Sequence, residues 1–349
     1  MCLVNLKKLK FPDSSADINH WADVIEFYCL LSRDGVITIA DVVDRIIDAR
    51  GGDVSAAAED VLEIEDLEEL EHSLAVDGDE DLSTSTDGAK RDEIESRVKG
   101  YFEFLQSRAI LYANSYPFQI DGGRIFVKKV TSSEIYLYVA LLVSSLLLFV
   151  EKKWVHSLGH KFEHLCGPAF ETLLPTGAHA HLFGAGANNG GIFNGTFFQK
   201  VAKLAELLNL NTKPKFNKDA VSPHNVGDGG LDWVGFYDFK DTESFLPIFF
   251  GQCACGEDWV TKQFDAHPDK WKNYIDFENS YLSYHFIPRS IRSQLGKWAD
   301  PLDLYNVVII DRLRLIKLLQ NRRSLADELL TIYIDLFERL DIEKIDPFT

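Results

Sequence analysis

Cysteine is scarce in this sequence, and its five cysteines show no paired CxxC spacing. A set this small and odd in number argues against a disulfide framework or a structural zinc site and favours a reducing compartment. The chain also opens without a charged segment followed by an apolar run and a cleavage site. We therefore expect a cytoplasmic protein.

Lysine and arginine are absent from the segment 58–88, and the net charge of the chain is -18. Residues 1–150 hold 14 Lys and Arg against 28 Asp and Glu, so most of the acidic excess lies in this first part. The end of the segment, AVDGDEDLSTSTDG, has too few apolar residues to offset the entropy of ordering. We interpret it as a solvated acidic insertion. The alternative is that it competes with nucleic acid for a basic surface elsewhere in the molecule.

Long apolar runs are also rare. The run IYLYVALLVSSLLLFV, at 135–150, has sixteen residues, whereas a helix that spans a membrane needs roughly twenty. We therefore predict no membrane partner and interpret 131–155 as a buried apolar helix that connects two domains. A chain of 349 residues with 46% hydrophobic content is long enough for both.

The first domain is predicted to be mainly helical. Amphipathic periodicity indicates helices in INHWADVIEFYCLLSRDG, in ITIADVVDRIIDARGG and at 90–108, and two strands follow around the turn Asp121-Gly122-Gly123. Three helices and then a hairpin form the order of a winged helix, so residues 1–130 are interpreted as a winged-helix-like domain that carries the acidic insertion. Its third helix could bind DNA, but the acid around it makes a protein-binding role equally consistent.

The second part of the chain contains a helix with a stripe of histidines. His156, His160 and His164 recur every four residues, which aligns them on one side of that helix. A single stripe cannot easily present three ligands to one tetrahedral ion, so we interpret it as a solvated face. The following HAHLFGAGANNGGIFNG is glycine-rich but lacks the Lys-Ser/Thr of a P-loop, and we predict a loop or hairpin there.

Two apolar segments further on are predicted to pair as strands. They are Leu231–Phe239 and Leu246–Phe250, so Asp232 enters one strand and Gln252 leaves the other. Antiparallel neighbours would place the carboxylate and the amide a few ångströms apart. Such an oxygen-rich pocket suits Mg²⁺, and Glu163 on the earlier helix could add a second carboxylate.

This order of a helix with Glu, a strand with GDGGLD, a strand with Gln and a further helix resembles the PD-(D/E)xK nuclease superfamily, and its Mrr-like restriction endonuclease branch in particular. The resemblance covers roughly 159–316. It implies that residues 156–349 form an α/β domain, a restriction-endonuclease-like mixed sheet flanked by helices. It also implies metal ligation by Glu163, Asp232 and Gln252, with Asp228 as a weaker candidate. We include Cys253, next to Gln252, among the candidate ligands.

The sequence lacks the lysine that the resemblance implies two residues after Gln252, because Ala254 stands there. We consider three explanations. Lys262 on the next helix could supply the ammonium, which with Asp232, Gln252 and Glu163 would complete the catalytic set. The position could have been changed to alanine to trap an inactive form. Alternatively, the domain holds DNA without cutting it.

The interpretation that follows is a DNA endonuclease that hydrolyses phosphodiester bonds with Mg²⁺, or with Mn²⁺ as a substitute. The resemblance implies a role in prokaryotic restriction or antiviral defence, with an ATPase or helicase as a separate partner subunit and a homodimer as one assembly. The alternative is a catalytically inactive module that binds DNA or a partner of a defence complex, and RNA cleavage is a third hypothesis. DNA would have to meet cations, for which the predicted residues are Lys213, Lys215, Arg289, Arg292, Arg312 and Arg314.

Overall fold

The structure, a computed structural model, describes residues 11–12, 16–61, 82–129, 132–184, 191–217, 225 and 227–320. The chain divides into two compact units, with the boundary between Trp154 and Val155. Ile291–Ala299 belongs to the first unit, while Val155–Ser290 and the described residues from Asp300 onward form the second. Most of the acidic segment 58–88 lies outside the described residues.

The first unit contains helices and a small antiparallel sheet. Its helices are α1 (Ile18–Leu31), α2 (Ile39–Asp48), α3 (Val54–Val61), α4 (Leu82–Tyr112) and α5 (Ser133–Ser145). Its strands are β1 (Val36–Thr38), β2 (Phe118–Asp121) and β3 (Arg124–Val127), in the order β1-β3-β2. The predicted hairpin is therefore confirmed, and Gly122 and Gly123 at its tip adopt positive φ angles of 53° and 77°.

Helix α2 begins where its sequence predicts. The Thr38 side chain accepts a hydrogen bond from the Asp41 N–H, and the Asp41 carboxylate accepts one from the Thr38 N–H. This reciprocal pair satisfies two of the backbone donors that a helix start leaves unbonded. The buried residues Val42, Val43 and Ile46 then face the core of the unit.

A buried ionic cluster joins helices α1, α4 and α5. Arg108 Nη1 donates to Asp23 at 2.6 Å and to Glu26 at 3.0 Å, and all three side chains are almost fully excluded from solvent. Glu26 also accepts hydrogen bonds from the hydroxyls of Tyr116 at 2.8 Å and Tyr138 at 2.8 Å. Because a buried charge without partners is very costly, these bonds specify how the three helices pack.

The apolar run at 135–150 forms a shorter helix than predicted. Helix α5 ends at Ser145, and a turn of 3₁₀ helix, Leu147–Phe149, follows. The Ser144 hydroxyl donates to Ala140 O, and the Ser145 hydroxyl donates to Leu142 O, so both compete with the helical ladder where it ends. In the part of the chain that the structure describes, no helix is both long and apolar enough to cross a membrane.

The second unit is built around a five-stranded mixed sheet. Its strands, in the order β4-β5-β6-β7-β8, are β4 (His179–Leu182), β5 (Trp233–Phe236), β6 (Ile248–Cys253), β7 (Leu282–Phe286) and β8 (Val308–Ile310). The pairs β4–β5 and β5–β6 are antiparallel, while β6–β7 and β7–β8 are parallel. The predicted pairing of the two apolar segments is thus confirmed.

Helices accompany the sheet. They are α6 (Lys152–Leu173), which starts at the end of the first unit, α7 (Phe197–Leu207), the short helices α8 (Trp259–Lys262) and α9 (Pro268–Trp271), and α10 (Arg312–Gln320). Helix α6 packs on one face of the sheet, where the Phe170 ring meets Tyr284 and Phe286. The rings of Phe183 and Phe250 pack against Trp271 of α9. The predicted class, mixed α/β with helices around a mixed sheet, is confirmed at this level.

Candidate functional site

Asp232 is fixed at the point where three strands meet. Its N–H donates to Gly251 O at 3.0 Å, and its carbonyl accepts from the N–H groups of Phe183 and Gly184. Its carboxylate oxygen Oδ2 accepts from the Cys253 N–H at 2.6 Å. The residue therefore precedes β5, and strands on both sides hold its main chain.

Glu163 reaches the same place from helix α6. Its carbonyl accepts from Trp233 Nε1 at 3.0 Å, and the Trp233 ring lies directly against Gly167, where any Cβ would clash. The glycine lets the helix approach the sheet closely, so the short Glu163 side chain can reach the strand ends. Its Oε2 lies 3.2 Å from His160 Nδ1, whereas its buried Oε1 has no hydrogen-bond partner among the residues that the structure describes.

Both carboxylates lie beside Gly184, and we refer to the space between them as the gap. A Cβ built on Gly184 would overlap Glu163 Oε1 and would lie 3.0 Å from Asp232 Oδ1. Burial raises the pKa of Glu163, and burial followed by the charge of Glu163 raises the pKa of Asp232 well above its usual value. A buried acid whose charged form is destabilised by a neighbouring carboxylate is typical of a cation site or a catalytic pair.

Gln252 completes this arrangement from strand β6. The side chain is 5% exposed, and with its nitrogen turned toward them it donates to Asp232 Oδ2 at 3.0 Å and to Gly230 O. Turned the other way, the amide would place its oxygen beside the carboxylate. The structure thus brings together Glu163, Asp232 and Gln252, three residues that the sequence selected from separate elements.

The two weaker candidates differ in their placement. Asp228 Oδ1 accepts from the Gly230 N–H at 2.7 Å and closes the GDGG turn, and its charge raises the pKa of both Glu163 and Asp232. It therefore lies near the site while its own bond serves the turn. Cys253 points to the other face of the sheet from Gln252, and its thiol is hydrogen-bonded with that of Cys166 on α6.

Lys262 is not brought to the carboxylate pair as predicted. Its Nζ lies 3.2 Å from Asp258 Oδ1, one turn earlier, and the side chain is 38% exposed. Burial raises the pKa of Cys255 and lowers that of His285, and the charge of Lys262 opposes the first shift and adds to the second. Helix α8 has only four residues, so the amine pairs within its own turn. We do not retain Lys262 as the ammonium of the site.

Lys200 is the residue that the sequence did not reveal. It lies on α7, is fully buried, and its Nζ is 3.4 Å from Phe183 O and 3.5 Å from Gly184 O. Its charge lowers the pKa of Glu163, although burial lowers the pKa of Lys200 itself. One feature of the sequence could have indicated it. In the amphipathic helix FFQKVAKLAEL, Lys200 occupies a position on the apolar face, which it shares with the core residues Phe197, Val201 and Leu204.

The predicted DNA-contacting residues are not equivalent in the structure. Lys215 is exposed, and Lys213 pairs with Asp276. Arg289 is partly buried, and its charge partly offsets the burial that raises the pKa of Cys255. These three lie in the second unit, as does the partly buried Arg314, whose Nη1 donates to Ile309 O at 2.5 Å.

Two of the predicted arginines do not fit this role in the second unit. Arg312 is fully buried, and its Nε donates to Pro288 O at 2.8 Å, so its guanidinium is structural. Arg292 belongs to the first unit, where its guanidinium stacks 3.7 Å above the Trp298 ring. We leave both out of the candidate DNA surface.

The residues at the gap fit a hard divalent cation such as Mg²⁺. Two carboxylates and an amide offer oxygen ligands, and Glu163 Oε1 is a buried acceptor to which no described residue donates a hydrogen bond. Within the described ranges, no group of three or more His, Cys, Asp and Glu side chains is arranged for a metal, so the amide oxygen and water would have to complete such a site.

No protein-family model, curated protein or solved structure matches the chain.

Proposed function

We propose that this protein is a Mg²⁺-dependent nuclease that hydrolyses phosphodiester bonds in DNA, acting in restriction or antiviral defence in the cytoplasm. The observation that carries the proposal is the gap at Gly184, which Glu163 and Asp232 face together. Carboxylates this close and this buried are stabilised best by a divalent cation between them. Mn²⁺, with similar ligand preferences, is expected to substitute.

The order of elements supports the same proposal. Glu163 lies on a helix, Asp232 enters one strand, Gln252 lies in the adjacent antiparallel strand, and helices lead to a further parallel strand. This is the order on which the resemblance to the PD-(D/E)xK superfamily rests. The sheet order β1-β3-β2 and the helices of the first unit similarly support a winged-helix-like domain.

The chain's own residues would divide the work. Glu163 and Asp232 would hold the cation, and Gln252 would turn its amide oxygen toward it. When bound, Mg²⁺ supplies Lewis-acid chemistry, because it offsets negative charge on the phosphate and makes water more acidic. Asp232 is held by main-chain bonds from β4 and β6, so its carboxylate is preorganised.

The substrate must approach a strongly acidic site. Besides the pair at the gap, Asp228 and Asp265 contribute negative charge to the surroundings of Asp232. Asp265 is paired with Lys270, so its charge is offset locally. A polyanion such as DNA can therefore bind close to the carboxylates only once cations balance them.

The test is the cutting of supercoiled plasmid with Mg²⁺, Mn²⁺ or a chelator. We expect metal-dependent cutting that falls at least about 100-fold in Asp232→Asn and Glu163→Gln, because each change removes a charged ligand. Glu171→Gln and Asp238→Asn are the matched controls. Glu171 is an exposed acid on α6, the helix of Glu163, and Asp238 is an exposed acid just after β5, the strand that Asp232 precedes. Both controls should cut at the wild-type rate.

A second function is favoured by the absence of an ammonium at the two expected positions. Position 254 is alanine, and Lys262 is paired with Asp258. A site without an ammonium near the cation would bind DNA, or a partner of a defence complex, without cutting. Binding of plasmid by the wild-type protein, with no cutting in any metal, would select this alternative. Cutting of RNA in place of DNA would keep the chemistry and change the substrate.

A further inference from the structure

We propose that Lys200 is the ammonium of this site and that it acts as a positioning residue, setting the charge of the cation-loaded site so that a phosphodiester can bind there. This inference rests on the proposed nuclease function. It assigns to helix α7 the positive charge that neither position 254 nor Lys262 provides. No sequence motif points to it, since Lys200 lies 52 positions before Gln252.

The position of the amine supports the assignment. Lys200 Nζ lies within 3.5 Å of Gly184 O, and Gly184 is the residue that both carboxylates face. The amine also lies beside the Phe183 ring, 6.0 Å from its centroid. A lysine in a fully buried position is expensive, so its charge is retained only where anions compensate it.

Those anions are Glu163 and Asp228, the two carboxylates whose charges stabilise the protonated amine. With Asp232 they form three negative charges around the gap. A divalent cation would leave this group with an excess negative charge, which would repel a phosphodiester. The ammonium of Lys200 removes that excess without occupying a ligand position, because it contacts backbone carbonyls.

The assignment predicts effects of opposite sign on two properties. Without Lys200, a cation meets less repulsion, so Mn²⁺ should bind the DNA-free protein more tightly, on the order of tenfold. DNA should bind the loaded site less well, and cutting should fall on the order of 100-fold. A lysine that only supports the fold would instead weaken both properties together.

The experiment compares Mn²⁺ binding by calorimetry at pH 8, and plasmid cutting, in wild type, Lys200→Met, Lys200→Arg and Lys203→Met. Lys203 lies one turn further along α7 and pairs with Glu206 at 3.0 Å, so it is the matched control and should change neither property. Lys200→Arg keeps the charge and should restore part of the cutting. If circular dichroism shows that Lys200→Met does not fold, Lys200→Gln takes its place.

Weaker Mn²⁺ binding in a folded Lys200→Met protein, or cutting at the wild-type rate, would overturn the role of Lys200 alone. A wild-type protein that neither binds Mn²⁺ nor cuts DNA would instead overturn the proposed function, and this inference with it. Tighter Mn²⁺ binding combined with lost cutting is the result that supports the assignment.

Discussion

Gly184 lies against both carboxylates of the candidate site. A methyl group at this position would overlap Glu163 Oε1 and crowd Asp232 Oδ1, without changing any charge. We predict that Gly184→Ala lowers Mn²⁺ affinity at least about tenfold and lowers cutting in proportion, because the methyl group would fill the gap itself. Calorimetric titration with Mn²⁺ measures the first effect, and the plasmid assay measures the second.

The control for this variant is Gly159→Ala on helix α6, where an added Cβ would have no heavy atom within 4 Å. It should bind Mn²⁺ as wild type does, and the alanine should stabilise the helix slightly, by about 0.5–1 kcal/mol. Unchanged Mn²⁺ affinity in Gly184→Ala would mean that the cation does not bind between Glu163 and Asp232.

His285 gives the free energy of unfolding a pH dependence of known sign. It lies on β7 opposite Gln252 in β6, is 1% exposed, and its ring stacks on that of Trp259. Burial lowers the pKa of His285 from 6.5 to about 3. His285 in the unfolded chain therefore binds a proton near pH 6.5, whereas in the folded protein it binds one only near pH 3. The free energy of unfolding falls as the pH drops through this window.

From pH 7 to pH 5 this one residue should cost on the order of 2 kcal/mol of unfolding free energy. We predict that His285→Leu removes that part of the pH dependence, while leaving the protein at least as stable at pH 7, because a buried imidazole is replaced by an apolar side chain. Urea unfolding at the two pH values measures it. His156→Gln, at an exposed histidine, should keep the wild-type difference, and an equal difference in His285→Leu would refute the assignment.

At the scale of elements, the packing of α1, α4 and α5 depends on Glu26. This fully buried carboxylate binds Arg108, Tyr116 and Tyr138, one partner from α4, one from the chain after it and one from α5. We predict that Glu26→Gln lowers the free energy of unfolding by about 3 kcal/mol, because it leaves Arg108 with less compensation in the interior. Thermal denaturation followed by circular dichroism measures the effect. Glu103→Gln, at an exposed position of α4, should shift it by under about 0.5 kcal/mol, and equal shifts in the two variants would contradict the prediction.

The elements that sequence patterns located best are those with strong local signals. The hairpin around Gly122 and Gly123 has a turn chemistry of its own, and the two apolar segments around 240 alternate with turn residues. Strands β1 and β4 were missed as separate elements because neither is joined by a short turn to the strand with which it pairs. Such strands form through pairing with distant partners, Phe126 for Val36 and Phe236 for His179, and local sequence carries little of that.

The site divides in the same way. Glu163, Asp232 and Gln252 could be predicted because each stands at a recognisable place in an element, beside an apolar face or at the end of a strand. The lysine that supplies the ammonium could not be predicted. Lys262 and Lys200 both lie on helices, and Lys262 is closer in sequence to Gln252. The contact between Lys200 Nζ and Gly184 O depends on how α7 packs against the chain just after β4, which the local sequence does not reveal.

At the scale of the whole molecule, the charge distribution sets how DNA can approach. The net charge of -18 opposes binding of a polyanion at long range, and cations close to the site must overcome it. Among the second-unit candidates, Lys215 is exposed and Arg289 is partly buried, whereas Lys213 is already paired with Asp276. The number of available cations is thus small, and we expect DNA affinity to be sensitive to any acidic segment that can reach them.

The acidic segment 58–88 is the part of the chain in which that sensitivity can be tested. We predict that a variant with amides at four of its acids, Asp77, Asp79, Glu80 and Asp81, binds DNA more tightly at about 0.1 M salt. The gain should shrink toward 0.5 M, because the screening length falls from about 10 Å at 0.1 M to about 3 Å at 1 M. Fluorescence anisotropy with a labelled duplex measures the affinities.

The same change in net charge elsewhere separates the two hypotheses for this segment. Four exposed acids of the first unit, Asp34, Asp48, Glu103 and Asp121, provide a control variant. A segment that competes with DNA for cations should produce a gain in affinity that the control lacks, because competition depends on where the charges are. Equal gains in the two variants would mean that only the net charge matters and that 58–88 is a solvated insertion. An acidic segment that masks the DNA surface would also give a partner a means of activation, since whatever binds that segment would expose the cations near the site.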